Sequence, residues 1–193
     1  SNLVVERLKS KRSKANIFQI QGKKNLGKTL CLYDIAHRSK HLGYVTVTPT
    51  SPLVEFTAVL KNERCELFSG VEKVLIIIDD LNYHDHKQVE GFEVLGNFVN
   101  TKPMHPKTKF KLVSTSSETR SLRIIDEIVS LSLTEKDEKS IINVLLDEPA
   151  LLEIDAQKSY EDICAEIGHT LYSDSLEDFL SLLLTHYSSS SQT

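Results

Sequence analysis

A glycine-rich segment near the start of the chain has the residues and the spacing of a phosphate-binding loop. It fits the pattern G-x-x-x-x-G-K-[ST] at every fixed position. Glycines let a backbone wrap closely around phosphate groups, and the N–H groups at the start of the next helix attract negative charge. The lysine reaches the β- and γ-phosphates, and the threonine hydroxyl is a ligand for Mg²⁺. We predict that ATP is bound by Gly22, Lys23, Lys24, Asn25, Leu26, Gly27, Lys28, Thr29 and Leu30.

Two carboxylates follow a hydrophobic run later in the chain. Residues 74–78 are all valine, leucine or isoleucine, and Asp79 and Asp80 come directly after them. Such a run is typical of a central strand that a parallel sheet buries on both faces. Ligands of these sheets bind at the carboxyl ends of the strands. We predict that Asp79 and Thr29 hold Mg²⁺, and that Asp80 is a catalytic residue that polarises the attacking water.

A run of hydroxyl side chains, residues 114–117, ends another predicted strand. A hydroxyl placed between the phosphate loop and Asp79 would contact the γ-phosphate through water, and we assign this catalytic role to Ser116. The alternative is that these hydroxyls only end a strand and begin a turn. Arg120 and Arg123 could reach the nucleotide of a neighbouring subunit, but a position in solvent is the simpler interpretation.

The elements around these groups predict an α/β fold in which helices flank a parallel P-loop sheet, followed by a small all-α lid. Apolar patterning predicts strands at 16–20, 43–48, 74–80, 110–117 and 128–133, and helices at 29–40, 53–68, 86–100 and 122–125. Further helices are predicted from Thr134 to Pro149, at 159–167 and at 175–186. The predicted domains are an α/β subdomain at 1–133, a lid at 134–187 and a disordered tail at 188–193.

Composition limits the class of protein. The chain has 193 residues, of which 40% are hydrophobic and 26% are charged, and its net charge is -4. These values predict one ordinary globular domain. We interpret the basic residues between 7 and 14 as a solvent-exposed face, and therefore expect no nucleic acid partner. No stretch has the length of a membrane span, so no direct insertion into a membrane is expected.

The cysteines and the chain start suggest a compartment and an origin. Cys31, Cys65 and Cys164 are widely spaced and fit neither a zinc pattern nor an obvious set of disulfides. We therefore expect a reducing, cytoplasmic environment. The chain begins without methionine, which suggests an excised domain.

The order of these features resembles the AAA+ ATPases. Within them it is similar to the second ATPase domain of the N-ethylmaleimide-sensitive fusion protein, the ATPase that disassembles SNARE complexes. Three features carry the resemblance: the way that Leu3 to Val5 lead into the first strand, the acidic sequence Asp79-Asp80-Leu81, and the order of helix, proline loop and hydroxyl-ended strand across 92–117.

The resemblance implies an ATP-binding domain that mainly assembles a hexameric ring of identical subunits, with weak or no hydrolysis. It also implies that other parts of the parent chain bind the SNAP adaptor and SNARE complexes, in the cytoplasm and at the periphery of vesicle membranes. Three alternatives remain open: a nucleotide switch of the NB-ARC or NACHT type, an ATPase similar to origin-recognition subunits, and a degenerate domain that serves only as a scaffold. A GTPase is disfavoured because the sequence has no N-K-x-D segment.

Overall fold

A computed structural model describes residues 1–10, 13–24, 26–62, 70–101, 108–132, 137, 140, 158–168 and 176–187. The chain divides into two compact units. The first comprises residues 1–22 and 27–131, and the second comprises residues 23–26 and 132–193. The domain boundary that the sequence suggests, after residue 133, stays a prediction.

The first unit is built on a parallel sheet of five strands in the order β2-β3-β4-β1-β5. The strands are β1 (Ile17–Gln21), β2 (Val45–Val47), β3 (Lys73–Ile78), β4 (Lys109–Ser116) and β5 (Glu127–Ser130). The helices are α1 (Asn2–Lys9), α2 (Lys28–Lys40), α3 (Leu53–Lys61) and α4 (His86–Asn100). This arrangement confirms the predicted α/β fold with a parallel sheet.

Alternating residues of the central strands fill two separate cores. On one face, Leu75, Ile77 and Val113 pack with apolar residues of α1 and α2. On the other face, Ile76 and Leu112 pack with apolar residues of α3 and α4. Burial of each such side chain contributes about 1.5–3 kcal/mol to stability. The run of apolar residues in β3 is therefore explained by burial on both faces of the sheet.

In the first unit, one predicted element is absent from the structure and one observed element was not predicted. Residues 122–125 form a turn and not a short helix, because the Asp126 carboxylate just beyond accepts hydrogen bonds from the Asn16 and Ile17 N–H groups, at 2.7 and 2.9 Å. These bonds fix the segment to the start of β1. The sequence analysis also did not identify α1, in which Val4, Val5 and Leu8 bury one apolar stripe. Helix α3 is described as far as Lys61, and the rest of the predicted helix lies outside the described residues.

The second unit contains α5 (Tyr160–Glu166) and α6 (Leu176–Tyr187) among its described residues. Ser159 begins α5 with a capping box, in which its hydroxyl and the Asp162 carboxylate each bond the other residue's backbone N–H. The Tyr187 hydroxyl donates to the Glu166 carboxylate, which joins the two helices. Of the predicted helix from Thr134 to Pro149, only residues 137 and 140 are described, and both are helical. Cys65, residues 102–107 and the tail at 188–193 lie outside the described residues. Among the described helices, none combines the length and apolar character needed to cross a membrane.

Gly91 allows α3 and α4 to pack closely, and this contact can be tested. A Cβ atom at position 91 would lie 2.8 Å from the Leu53 Cβ, which sits beside the backbone and cannot move alone. We expect Gly91→Ala to lower the free energy of unfolding by about 1–3 kcal/mol through overpacking, although alanine improves helix propensity by about 1 kcal/mol. Urea unfolding followed by circular dichroism measures the change.

Gly96→Ala is the matched control on the same helix. Its added Cβ would meet the ends of the Ile124 and Ile17 side chains, at 2.8 and 3.1 Å, and these ends can rotate. We expect a smaller loss than for Gly91→Ala. A Gly91→Ala protein that is as stable as the wild type would show that α3 and α4 do not need this close approach.

Candidate nucleotide-binding site

The phosphate loop joins the end of β1 to the start of α2. Gly27 has φ +75°, a left-handed conformation that glycine adopts without strain, and it allows the chain to turn into α2. At the other end of the loop, the Gly22 N–H donates to the Ser116 carbonyl at 3.3 Å, which ties the loop to the end of β4. The first N–H groups of a helix have no acceptor within the helix. The start of α2 therefore has the local geometry of an anion site.

Lys28 lies in the first turn of α2 and is buried, with 8% of its surface exposed. Burial lowers the pKa of its ammonium group, while the nearby Asp80 and Asp79 carboxylates raise it. The balance favours the neutral amine more than in water. A phosphate group would add the negative charge that stabilises the ammonium form.

A chain of hydroxyl and carboxylate groups connects α2, β3 and β4. The Thr29 hydroxyl donates to Asp79 Oδ2 at 2.8 Å, and the Thr115 hydroxyl donates to Asp79 Oδ1 at 2.6 Å. Both carboxylate oxygens of Asp79 are therefore oriented by hydroxyl groups from neighbouring elements. The predicted metal ligands Thr29 and Asp79 are in direct contact.

Asp80 has a backbone conformation that is uncommon for a residue with a side chain. Its φ is +54°, in the left-handed region that aspartate tolerates better than most residues. The Asp80 N–H donates to the Thr115 hydroxyl at 2.7 Å, and the next N–H, of Leu81, donates to the Thr115 carbonyl at 2.8 Å. These two bonds hold the turn after β3. They leave the Asp80 side chain exposed at the edge of the sheet.

Ser116 points away from these groups. Its side chain is fully buried, and its hydroxyl donates to the Leu81 carbonyl at 3.1 Å and accepts from the Glu118 N–H at 3.2 Å. The hydroxyl that contacts Asp79 belongs to Thr115, which the sequence analysis did not distinguish from its neighbours. A catalytic role for Ser116 stays a prediction, and Thr115 is the additional candidate.

Five other residues were predicted to bind ATP: Lys23, Lys24, Asn25, Leu26 and Leu30. The side chain of Leu30 is 74% exposed, so its backbone N–H is the group that could bind phosphate. Lys23, Lys24 and Leu26 belong to the second unit. Asn25 lies outside the described residues. The binding roles of these four residues stay predictions.

A buried polar network behind the site was missed in the sequence. The Gln19 side chain is fully buried, and its amide donates to the Tyr83 hydroxyl at 2.6 Å and accepts from the same hydroxyl at 2.9 Å. Gln21 donates to Gln19 Oε1 at 2.7 Å and to the Arg120 carbonyl at 2.9 Å. The network joins β1 to the loops that follow β3 and β4. The sequence feature that could have predicted this network is the presence of two glutamines in a strand whose other residues are apolar.

This network contributes to order at the site as well as to the fold. Buried polar groups in a central strand are costly unless they are paired. Gln19 is paired on both sides of its amide, with Tyr83 and Gln21. The backbone beside the phosphate loop is thereby linked to the two loops that carry Asp80 and Glu118. Local order at the site therefore depends on polar contacts below it as well as on the apolar core.

The oxygen atoms of Asp79 and Thr29 suit Mg²⁺ better than a metal ion that takes all of its ligands from protein side chains. Among the described residues, no group of three or more histidine, cysteine, aspartate or glutamate side chains could hold a metal ion. Mg²⁺ retains several waters and needs only one or two carboxylates besides the phosphates of its substrate. The Asp79 carboxylate and the Thr29 hydroxyl are suitable oxygen ligands for such an ion.

Solved structures with the same fold place this geometry in context. No protein-family model matches the sequence, and no curated protein matches it significantly. The replication initiator DnaA bound to AMPPCP and single-stranded DNA aligns with a TM-score of 0.51 and 18% identity, over 94% of this chain and 58% of DnaA. A single-residue variant of RuvB from Thermotoga maritima aligns with a TM-score of 0.51 and 17% identity, over 95% of this chain and 66% of RuvB.

The AAA domain of FIGL-1 in complex with ADP aligns with a TM-score of 0.50 and 16% identity, over 98% of this chain and 79% of that domain. The chain therefore has the fold of the AAA+ P-loop ATPases. It spans only 58% of the DnaA chain. The expectation that nucleic acid is not a partner is wrong as an exclusion, because a protein with this fold is bound to single-stranded DNA.

Thr115 and Ser116 can be separated by experiment. We expect Thr115→Val to lower ATP turnover by about ten- to a hundredfold, the usual effect of removing a group that orients a metal ligand. Nucleotide affinity should change little, because Lys28 and the start of α2 are untouched. Phosphate release under saturating ATP, with Thr115→Ser as the variant that keeps the hydroxyl, measures the effect.

Ser116→Ala is the matched control on the next residue of β4. Loss of its bond to the Leu81 carbonyl should lower stability, with turnover near that of the wild type. The reverse result, with Ser116→Ala inactive and Thr115→Val active, would support the sequence-based assignment of Ser116 and contradict ours.

Proposed function

We propose that this chain is the nucleotide-binding domain of an AAA+ ATPase of the origin-recognition type, which binds and hydrolyses ATP in order to act on nucleic acid. The observation that carries the proposal is the bonded series Thr29–Asp79–Thr115 beside the buried Lys28. These residues bring a phosphate-binding cation, a pair of metal ligands and an orienting hydroxyl to one edge of the sheet. A domain that serves only as a scaffold has no need of this arrangement.

In the proposed reaction, ATP hydrolysis, each of these residues has its own role. Lys28 and the first N–H groups of α2 bind the phosphates and stabilise charge on the γ-phosphate. Thr29 and Asp79 would hold Mg²⁺, which when bound neutralises charge on the β- and γ-phosphate oxygens. Asp80 orients the attacking water and accepts its proton. The water oxygen bonds to the γ-phosphorus, and the bond to the bridging oxygen breaks to leave ADP and phosphate.

The DnaA structure supports the nucleic acid part of the proposal. That protein is a replication initiator bound to AMPPCP and single-stranded DNA, and 58% of its chain aligns with 94% of this chain. The SNARE-disassembly interpretation of the sequence has no comparable support. We therefore favour the origin-recognition alternative and make no proposal of a vesicle-fusion role.

ATP binding is the direct test of the site. We expect Lys28→Ala to weaken ATP binding by about ten- to a hundredfold, because hydrogen bonds to charged groups contribute about 1.5–3 kcal/mol. Titration of a fluorescent ATP analogue with Mg²⁺ measures the affinity. Lys61→Ala, at an exposed position on α3, should bind as the wild type does.

The same titration distinguishes the alternatives. Equal affinities for the wild type and Lys28→Ala would contradict the assignment of the phosphate loop. A protein that purifies with ADP and does not exchange it would favour the nucleotide switch. A wild type that binds no nucleotide would favour the scaffold.

Asp80→Asn tests the role of the second carboxylate. Asparagine also tolerates the left-handed conformation at this position, so the fold should be retained. We expect turnover to fall with ATP affinity nearly unchanged, because the amide does not accept a proton from water. Single-turnover hydrolysis, compared with equilibrium binding, separates the two quantities. A rate equal to that of the wild type would remove Asp80 from the mechanism.

A further inference from the structure

Lysines line the end of the sheet that is opposite to the nucleotide site. Lys73 begins β3 and Lys109 begins β4, and the two residues are direct partners across the parallel strands. Lys111 follows two positions along β4, on the same face of the sheet. Like charges directly opposite each other destabilise a sheet. The pairing of Lys73 with Lys109 therefore does not itself stabilise the sheet.

A hydrogen bond and a cation–π contact connect Lys73 to Leu42 and Tyr44. The Lys73 ammonium donates to the Leu42 carbonyl at 2.8 Å and lies 5.5 Å from the centre of the Tyr44 ring. The Tyr44 hydroxyl donates to the Leu8 carbonyl at 3.4 Å. Lys9, the last residue of α1, follows Leu8 directly.

On the other side, the Lys111 ammonium donates to the Ala15 carbonyl, next to Lys14, and to Asn16 Oδ1 at 3.0 Å. We call Lys9, Lys14, Lys73, Lys109 and Lys111 the basal lysine patch. Its exposed members are Lys9, Lys14 and Lys109.

The positive charge of the patch is only partly balanced. Carbonyl and amide oxygens accept from Lys73 and Lys111, and such acceptors do not cancel a charge. Burial lowers the pKa of Lys111, the Asp126 carboxylate raises it, Lys109 lowers it through like-charge repulsion, and the Glu127 carboxylate raises it.

Among the described residues, four carboxylates lie near the five lysines of the patch. Asp126 accepts from the backbone of Asn16 and Ile17, and Glu127 is paired with Arg7 at 3.1 Å. Glu6 and Glu72 are exposed acids in the same region.

We propose that the basal lysine patch binds the phosphate backbone of duplex DNA. The inference rests on the proposed function for the class of partner, and on the register of β3 and β4 for the place. Sites for single strands combine positive charge with aromatic faces on which bases stack. Among the described residues, Tyr44 is the aromatic residue beside Lys73, and it is 7% exposed, so its ring offers no such face. The closely spaced phosphates of a duplex are the better complement.

The patch and the nucleotide site can be tested separately. Lys109 and Thr115 are six positions apart along β4, a distance of roughly 20 Å along the strand. Changes in the patch should therefore leave ATP binding intact. Lys14 and Lys109 are the residues to change, because both are exposed. Lys73 and Lys111 hold carbonyl groups, and their loss would endanger the fold.

The experiment measures binding of a short fluorescent DNA duplex by anisotropy over a range of salt concentrations. For the wild type we expect log K to fall linearly with log salt, by about 0.9 for each phosphate neutralised. The double variant Lys14→Gln/Lys109→Gln should bind roughly tenfold more weakly, and its salt slope should be smaller by about 2. The matched control is Lys61→Gln/Lys87→Gln, which removes the same charge from exposed positions on α3 and α4.

Each outcome decides the proposal. Normal ATP binding with no DNA binding by the wild type would overturn the patch and leave the ATP site standing. A loss of ATP binding in Lys28→Ala, together with a loss of DNA binding only in the patch variant, would support both. Equal losses in the patch variant and the control would mean that net charge, and not this surface, binds the duplex. Tighter binding of a single strand or of anionic vesicles through the same lysines would also overturn the proposal.

Discussion

The position of β4 between β1 and β3 is the constraint on which the rest of the site depends. The phosphate loop leaves β1 and Asp79 follows β3, so these two elements are separated by a whole strand. Neighbouring strands lie about 4.8 Å apart, which places the two strand ends roughly 10 Å from each other. Thr29 approaches Asp79 from the first turn of α2, and Thr115 approaches it from the strand between. The carboxylate is thus fixed from two sides before any ligand binds.

The sequence predicts the groups of this site better than it predicts their orientation. The glycine pattern, Lys28, Thr29 and the two aspartates were predicted from residue types and spacing alone. The parallel sheet was predicted in the same way and is confirmed. Which hydroxyl contacts Asp79, that of Thr115 or that of Ser116, depends on the register between β3 and β4. Ile78 pairs with Ser114, so the residue opposite Asp79 is Thr115, and its side chain lies on the face of Asp79. Ser116 has the opposite parity and points to the Leu81 carbonyl.

Other differences have the same physical origin. The short stretch at 122–125 has helical spacing, but backbone bonds from Asn16 and Ile17 to Asp126 fix the chain in a turn before β5. Helix α1 is short, and its stability comes from packing Val4 and Val5 into the core of the α1 and α2 face. Such tertiary contacts override local preference. In longer elements with many apolar residues, local preference and tertiary packing favour the same structure. The limits of α4 were predicted as 86–100, as observed, and those of β3 as 74–80, against 73–78 in the structure.

Nucleic acid was excluded because the basic residues between 7 and 14 were interpreted as a solvent-exposed face and the total charge of the chain is negative. A net charge of -4 describes the whole chain, whereas a ligand meets the charges that the fold brings together. Alternation along β3 and β4 places Lys73, Lys109 and Lys111 at one end of a sheet face, and Asp79 and Thr115 at the other end of the same face. The apolar residues between them are buried. Opposite charges are thus separated by the length of a strand, and neither sequence position nor total charge shows this before the register is known.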